Sequence, residues 1–424
     1  MAKLPTMLFA RPNGEWLDFP PLSMLGMSGN CLLLPSKKDL IPLPEGATLT
    51  MMPQAAPYGF DAERGSFLLL EENPYLKKAE PIYALAALLP QGFSRTLLPA
   101  AQPVGPPLPL LGYTAVGVDE KGRLVCAARQ TDEHQRWHPR HYNSEDLAAR
   151  VEKRCQACPQ NRILQQLGRC SLEYGCFTAQ NIFYQRWEGG IPVSPACNAA
   201  CLGCISLQES ECCPSPQSRI RQAPSVAEIV EVALPHLRAA KDAIISFGQG
   251  CEGEPSLEYE RIAAAIREIR AQTQSGTLNI NTNAGNPLAI ETLCQAGMDS
   301  FRVSLFSPIA ADYAAYHRPH GYDLESVKQS LSIIRRYGKK AALNLLAYPG
   351  YTDRPHFLEA LVALCRETGL QQIQLRNLNI DPRVMAPFCG EGCGMGLANM
   401  LALLKTELPG LEIGNYSRPV RQES

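Results

Sequence analysis

Nine of the sixteen cysteines in this 424-residue chain crowd into one stretch: Cys155, Cys158, Cys170, Cys176, Cys197, Cys201, Cys204, Cys212 and Cys213. Thiols that merely fill a core would be scattered, as Cys31, Cys126, Cys294 and Cys365 are. A disulfide framework serves small secreted domains that lack core, and this chain is not small. Clustered thiols in a large chain point instead to metal binding or catalysis. The opening residues Met-Ala-Lys-Leu-Pro-Thr-Met-Leu-Phe-Ala-Arg-Pro lack the apolar stretch of a signal peptide. No run of about 18 apolar residues occurs either. A cytoplasmic protein with no membrane association is therefore expected.

Hydrophobic residues make up 45% of the chain, enough for one large domain and a smaller one. A net charge of −1 gives no general pull toward nucleic acid or anionic lipid. The basic segment His134–His141 reads as a solvated loop. Residues 1–145 are rich in proline and glycine, with short apolar runs at Ser66–Leu70 and Leu111–Val118. The second run, a turn at Asp119-Glu-Lys-Gly122 and the run from Arg123 form a β-hairpin pattern. This part is expected to be a small β-rich domain, with Pro103–Pro109 as a stiff connection. A cysteine-rich segment, 146–188, follows.

From Ile191 the pattern becomes strand, loop, helix, repeated. The expected strands are Ile191–Ser194, Ala243–Phe247, Thr277–Thr282, Ser300–Leu305, Ala341–Ala347 and Gln372–Asn377. Ser225-Val-Ala-Glu228 is a capping-box pattern that opens a helix, which Pro235 should kink or shorten. Further helices follow around Leu324–Ile334 and Leu358–Leu364, closed by Gly338 and Gly369. Alternating strands and helices imply βαβ units. The expected fold is a partial (β/α)6 TIM-like barrel over 189–380, preceded by the β-rich domain and followed by a C-terminal cap over 381–424. Chemistry in such barrels sits on loops at the C-terminal ends of the strands.

The sharpest motif is Cys197-Asn-Ala-Ala-Cys201-Leu-Gly-Cys204, in the loop after the first expected strand. Three thiolates can hold a cubane cluster and leave one iron open, although zinc or plain buried thiols also suit this spacing. Cys155, Cys158, Cys170 and Cys176 form a second, four-thiolate pattern that suits a second [4Fe–4S] cluster or zinc. Cys212 and Cys213 are loop thiols or spare ligands, and Cys251 is a buried thiol or faces the site. Cys389 and Cys393, in a glycine-rich stretch, are a flexible cap, a substrate-facing pair or further ligands. In His317-Arg318-Pro-His320, Arg318 suits an anionic group, and a surface helix start is the plainer alternative.

The Cys-x3-Cys-x2-Cys motif at this place resembles the radical S-adenosylmethionine (SAM) superfamily. Further motifs follow in the same order. Gly253-Glu254-Pro255 resembles the glycine–glutamate–proline loop that meets the methionine amino group of SAM. Asn281 and Asn283 end the third strand, Arg302 and Ser304 the fourth, and Asn344 lies in the fifth. The resemblance implies cofactor contacts at all of these and covers roughly 189–380. The chain departs from the family pattern at Gly203, where an aromatic residue is usual, and at Glu252-Gly253-Glu254, where Gly-Gly-Glu is usual. The resemblance implies reductive cleavage of SAM at the cluster to a 5′-deoxyadenosyl radical, which abstracts hydrogen from a peptide, an RNA or a cofactor precursor. It also implies an external electron donor such as a flavodoxin or ferredoxin, and an oxidoreductase or transferase reaction. The alternative is a non-catalytic zinc or iron–sulfur protein, possibly RNA-associated; it would not need cofactor loops at successive strand ends.

Overall fold

A computed structural model describes residues 4–52, 54–108, 110–207 and 217–420. Cys212 and Cys213 lie outside the described residues. The chain forms two compact units. The first takes residues 1–134, 347–359 and 376–409, and the second takes 135–346, 360–375 and 410–424. The chain thus returns to the first unit twice after leaving it.

The first unit is built on an antiparallel sheet. Its strand Thr6–Ala10 is buried on both faces: Met7 and Phe9 pack with Leu22 and Ile82, while Leu8 and Ala10 pack with Leu85, Val116 and Cys126. Two-sided burial explains why that strand reads as an unbroken apolar run. The expected hairpin is present as Thr114–Val118 paired with Leu124–Gln130, in the register Val116↔Cys126. The Gly122 N–H donates to the Asp119 carbonyl in its turn.

The second unit holds a curled parallel sheet of seven strands in sequential order. They are β1 (Arg186–Gly190), β2 (Lys241–Phe247), β3 (Thr277–Thr282), β4 (Ser300–Leu305), β5 (Lys340–Ala347), β6 (Gln372–Asn377) and a short β7 (Glu412–Gly414). Strands β2 to β6 lie where the strand, loop, helix pattern predicts them. The first strand does not. Ile191–Ser194 is buried and leaves the sheet: the Ile191 N–H still donates to the Ser246 carbonyl at 3.0 Å, but the Val193 and Ser194 N–H groups donate to the carboxylate of Glu252. The strand proper is Arg-Trp-Glu-Gly-Gly, a sequence with no apolar alternation to announce it.

Before β1 the cysteine-rich segment forms three helices: α1 (Leu147–Ala157), α2 (Arg162–Leu172) and α3 (Phe177–Tyr184). Helix α4 (Val226–Ala239) has the capping box of Ser225 and Glu228. Pro235 does not shorten it. Proline lacks the N–H that would serve the Glu231 carbonyl one turn back, and the Arg154 guanidinium of α1 donates to that carbonyl at 2.8 Å instead. Residues Gln135–His141 are not a solvated loop. Trp137 is buried, stacks on Tyr416 at 5.6 Å, and is neighboured by Tyr142, which lies flat on Phe177 at 3.7 Å. No helix among the described residues is long and apolar enough to cross a membrane.

Candidate cluster and cofactor site

The loop carrying Cys197, Cys201 and Cys204 follows β1 and is held by backbone pairing on two sides. On one side the Gly253 N–H donates to the Ser194 carbonyl at 2.7 Å, and the Glu254 N–H donates to the Ala196 carbonyl at 2.8 Å. On the other, residues 316–320 run antiparallel to it. The Ala200 and Leu202 N–H groups donate to the His317 and Tyr316 carbonyls, and the His320 N–H donates to the Asn198 carbonyl. The His317-Arg318-Pro-His320 motif is thus a strap for the cysteine loop, while the Arg318 side chain is exposed. The Tyr316 phenol reaches the backbone of Gly203, so an aromatic ring from another segment stands beside the glycine.

Two glutamates organise the loop after β2. Glu252 is 1% exposed. One of its oxygens accepts from the Val193 and Ser194 N–H groups, the other from the Gly248 and Gln249 N–H groups. It therefore ties the cofactor loop to the segment leading into Cys197. Burial pushes its carboxyl up to about 7, against the pull of these four donors. Glu254 caps the single turn Pro255–Glu258, with proline at the first helical position. Its carboxylate also accepts from the Thr282 hydroxyl at 2.5 Å and the Asn283 N–H at 2.8 Å. Burial raises the Glu254 carboxyl, and these donors oppose the rise. Gly253 must be glycine, since a Cβ there would stand 1.9 Å from the Ala196 carbonyl oxygen.

The other predicted cofactor contacts line up across the sheet. The Asn283 amide donates to Asn198 Oδ1 at 2.7 Å, which joins the end of β3 to the cysteine loop. The Asn281 amide donates to the Gly248 carbonyl at 2.9 Å. Arg302, 6% exposed, donates to Glu188 at 3.1 Å, to Gln374 at 3.1 Å, to Ser417 at 2.8 Å and to Asn281. Below it Ser246, Asn279 and Ser300 continue a hydrogen-bonded ladder from Glu188. Ser304 and Asn344 stand opposite each other in the β4–β5 register. Glu188, Glu252, His317 and Asn198 were not singled out from the sequence as site residues, because each gains its role from a partner distant in the chain.

Thiolate is the soft ligand that iron–sulfur clusters take, so the fit of the triad turns on its sulfurs. Among the described residues, no three His, Cys, Asp or Glu side chains converge as one metal ion requires. A cubane asks for something else. Each thiolate binds its own iron at a separate corner, so the sulfurs stand further apart than around a single ion. The three thiols do feel one another: burial, then the charges of Cys204 and Cys197, push Cys201 up to about 12. Burial acts the same way on Cys204, but hydrogen bonds from the Ser206 hydroxyl and the backbone outweigh it and lower that thiol. The Arg219 guanidinium lies 3.9 Å from the Cys204 sulfur. His317 Nδ1 lies 3.2 Å from the Cys201 sulfur. Donors aimed at sulfur are what a thiolate cluster needs, and the triad fits one.

The second cysteine set is not drawn into one group. Cys155 directs its thiol to the Leu164 carbonyl, and Cys158 lies against Glu231. Cys170 meets Cys251 in a thiol–thiol hydrogen bond, with Cys176 near them. That contact and burial raise Cys251. In the first unit, Cys389 is buried beside Gly29, and Cys393 is exposed and hydrogen-bonded to Cys31.

Residues 191–361 match the family model of the radical SAM superfamily. No curated protein matches the chain. Among solved structures, SuiB of Streptococcus suis bound to the precursor peptide SuiA is similar at 12% identity and a TM-score of 0.39, over 60% of this chain and 53% of that one. This chain thus spans about half the length of SuiB. HydG, a maturase of the [FeFe]-hydrogenase, is similar at 13% identity and a TM-score of 0.36, over 64% of this chain and 66% of that one. A radical SAM methyltransferase from Sphaerobacter thermophilus is similar at 16% identity and a TM-score of 0.36, over 54% and 65% of the two chains. Residues 191–361 of this chain are thus matched as a radical SAM domain.

Proposed function

We propose that this chain is a radical SAM enzyme that holds a [4Fe–4S] cluster on Cys197, Cys201 and Cys204 and binds SAM beside Gly253-Glu254-Pro255. One observation carries the reading. The cysteine loop is bonded directly to the cofactor loop, through the Gly253 and Glu254 N–H groups and through both oxygens of Glu252. When bound and reduced, the cluster supplies the electron that splits SAM into methionine and a 5′-deoxyadenosyl radical, which takes hydrogen from a substrate. The protein's own part is binding, orientation and exclusion of water. The Glu254 carboxylate already accepts from Thr282, Asn283 and Ser256, so the loop's backbone carbonyls are the acceptors for the SAM ammonium. Ser304 and Asn344, level with each other on β4 and β5, serve the ribose or carboxylate.

A flavodoxin or ferredoxin is the electron donor, and a peptide, an RNA or a cofactor precursor the substrate, in an oxidoreductase or transferase reaction. The cysteine-rich segment holds a second thiolate-bound metal, a [4Fe–4S] cluster or zinc. The approach of Cys170 to Cys251 supports a site shifted toward the cofactor loop. Iron counting on the Cys197→Ala, Cys201→Ala, Cys204→Ala triple variant tests it: about four irons should remain. Complete loss of iron, with no zinc, would remove the second site.

The primary test is electron paramagnetic resonance of the reduced, reconstituted protein. Addition of SAM should change the cluster signal, because SAM binds the open iron. An unchanged signal at saturating SAM would contradict the proposal.

A further inference from the structure

The imidazole of His317 has a role that rests on its two ring nitrogens. His317 closes the helix Ala310–His317 and is 2% exposed. Its ring is enclosed by Tyr313, at 4.5 Å between centroids, and Tyr316, at 5.0 Å. The backbone N–H of Phe306 donates to Nε2 at 3.1 Å. A nitrogen that accepts carries no proton. A neutral imidazole has one proton, so it sits on Nδ1. Nδ1 is the atom 3.2 Å from the Cys201 sulfur. The donor is therefore fixed by the backbone of β4's exit and aimed at one cysteine of the triad.

We infer that His317 is a positioning residue that sets the reduction potential of the cluster through an Nδ1–H···S hydrogen bond to Cys201. The inference rests on the cluster reading proposed above. Reduction adds negative charge to the cluster, and part of it falls on the ligand sulfurs. A donor to sulfur stabilises that charge and raises the potential. His317 reaches the Cys201 sulfur from outside the cysteine loop. The strap that carries it also fixes its place, since the His317 carbonyl accepts from the Ala200 N–H in the cysteine loop.

The test is an EPR-monitored redox titration of the reconstituted protein, with iron content measured on each sample. H317L removes the donor. It should retain wild-type iron content and titrate at a more negative potential. H317N returns an amide N–H near the Nδ1 position and should recover part of the shift. A fully loaded H317L protein with the wild-type potential would overturn the inference and leave the cluster reading intact. Wild-type protein with no reducible cluster on the triad would overturn both. A second measurement needs no variant. Pulsed EPR on wild-type protein labelled with 15N-histidine should show a weak nitrogen coupling to the reduced cluster, and its absence would overturn the inference even if H317L fails to fold.

Discussion

A Cβ built on Gly253 would stand 1.9 Å from the carbonyl oxygen of Ala196, the residue before Cys197. No side chain fits there, and backbone cannot move aside as a flexible side chain can. Gly253→Ala should therefore part the cofactor loop from the cysteine loop. We expect SAM affinity to fall by at least about tenfold, equivalent to about 1.4 kcal/mol, with reduced iron loading. Gly410→Ala, where a Cβ meets nothing within 4 Å, is the control and should bind normally. Equilibrium binding and iron assays on the two variants check this.

Glu252 uses both oxygens to accept four backbone N–H groups. Glu252→Gln keeps the shape but turns one acceptor into a donor, which then faces N–H groups. Each buried donor left unmet costs roughly 1–3 kcal/mol, so the variant should lose about 2–4 kcal/mol. Denaturant unfolding of the two proteins measures it. A change below about 0.5 kcal/mol would mean that the clamp is not formed in solution.

Arg302 and Glu188 form a buried ion pair at 3.1 Å, with side chains 7% and 6% exposed. Glu188→Ala leaves the guanidinium without its counter-charge and should cost about 3–5 kcal/mol. Replacing both, as Glu188→Ala with Arg302→Met, should cost less than the sum of the two single changes, because neither charge is then stranded. A double-mutant cycle in denaturant reads the coupling directly.

His236 is 1% exposed, and its Nε2 lies 2.8 Å from the Trp187 carbonyl oxygen. Burial pushes its imidazole down to about 4, from an ordinary value near 6.5. Between those values the unfolded chain takes up a proton that the folded one refuses. Stability contributed by this group is therefore complete above about pH 6.5 and falls as pH drops toward 4, by on the order of 3 kcal/mol. His236→Gln can still donate to Trp187 but does not titrate. Its unfolding midpoint should fall less than that of the wild type between pH 7.5 and pH 5.

Much of this was legible in the sequence because it depends on local chemistry. Thr277–Thr282, Ser300–Leu305 and Gln372–Asn377 are strands with those limits, and apolar residues recur at every second position along each: Leu278 and Ile280, Phe301, Val303 and Leu305, Ile373 and Leu375. Ser225 and Glu228 form the capping box that their spacing predicts. The proposal that the cysteine triad holds a cluster draws on its spacing and its place after the first strand region. What stayed hidden was non-local. Arg186–Gly190 is a strand because a neighbour pairs with it, not because of its own residues. Pro235 is tolerated because Arg154, distant in sequence, serves the freed carbonyl. Trp137 is buried by Tyr416, near the other end of the chain. Glu252 stood out only as a break in a glycine pattern, and its grip on Val193 and Ser194 follows from the crossing of two loops. His317 reads from the sequence as a surface helix start, whereas it ends a helix and its buried ring lies between Phe306 and Cys201.

The central claim is that Cys197, Cys201 and Cys204 hold the cluster that cleaves SAM. The most direct measurement is 5′-deoxyadenosine formed by anaerobically reconstituted, reduced protein incubated with SAM. The wild type should produce it in a time-dependent way, and Cys197→Ala, Cys201→Ala and Cys204→Ala should each produce none above background. Wild-type levels of product from these variants, or no product from an iron-loaded wild type, would contradict the account.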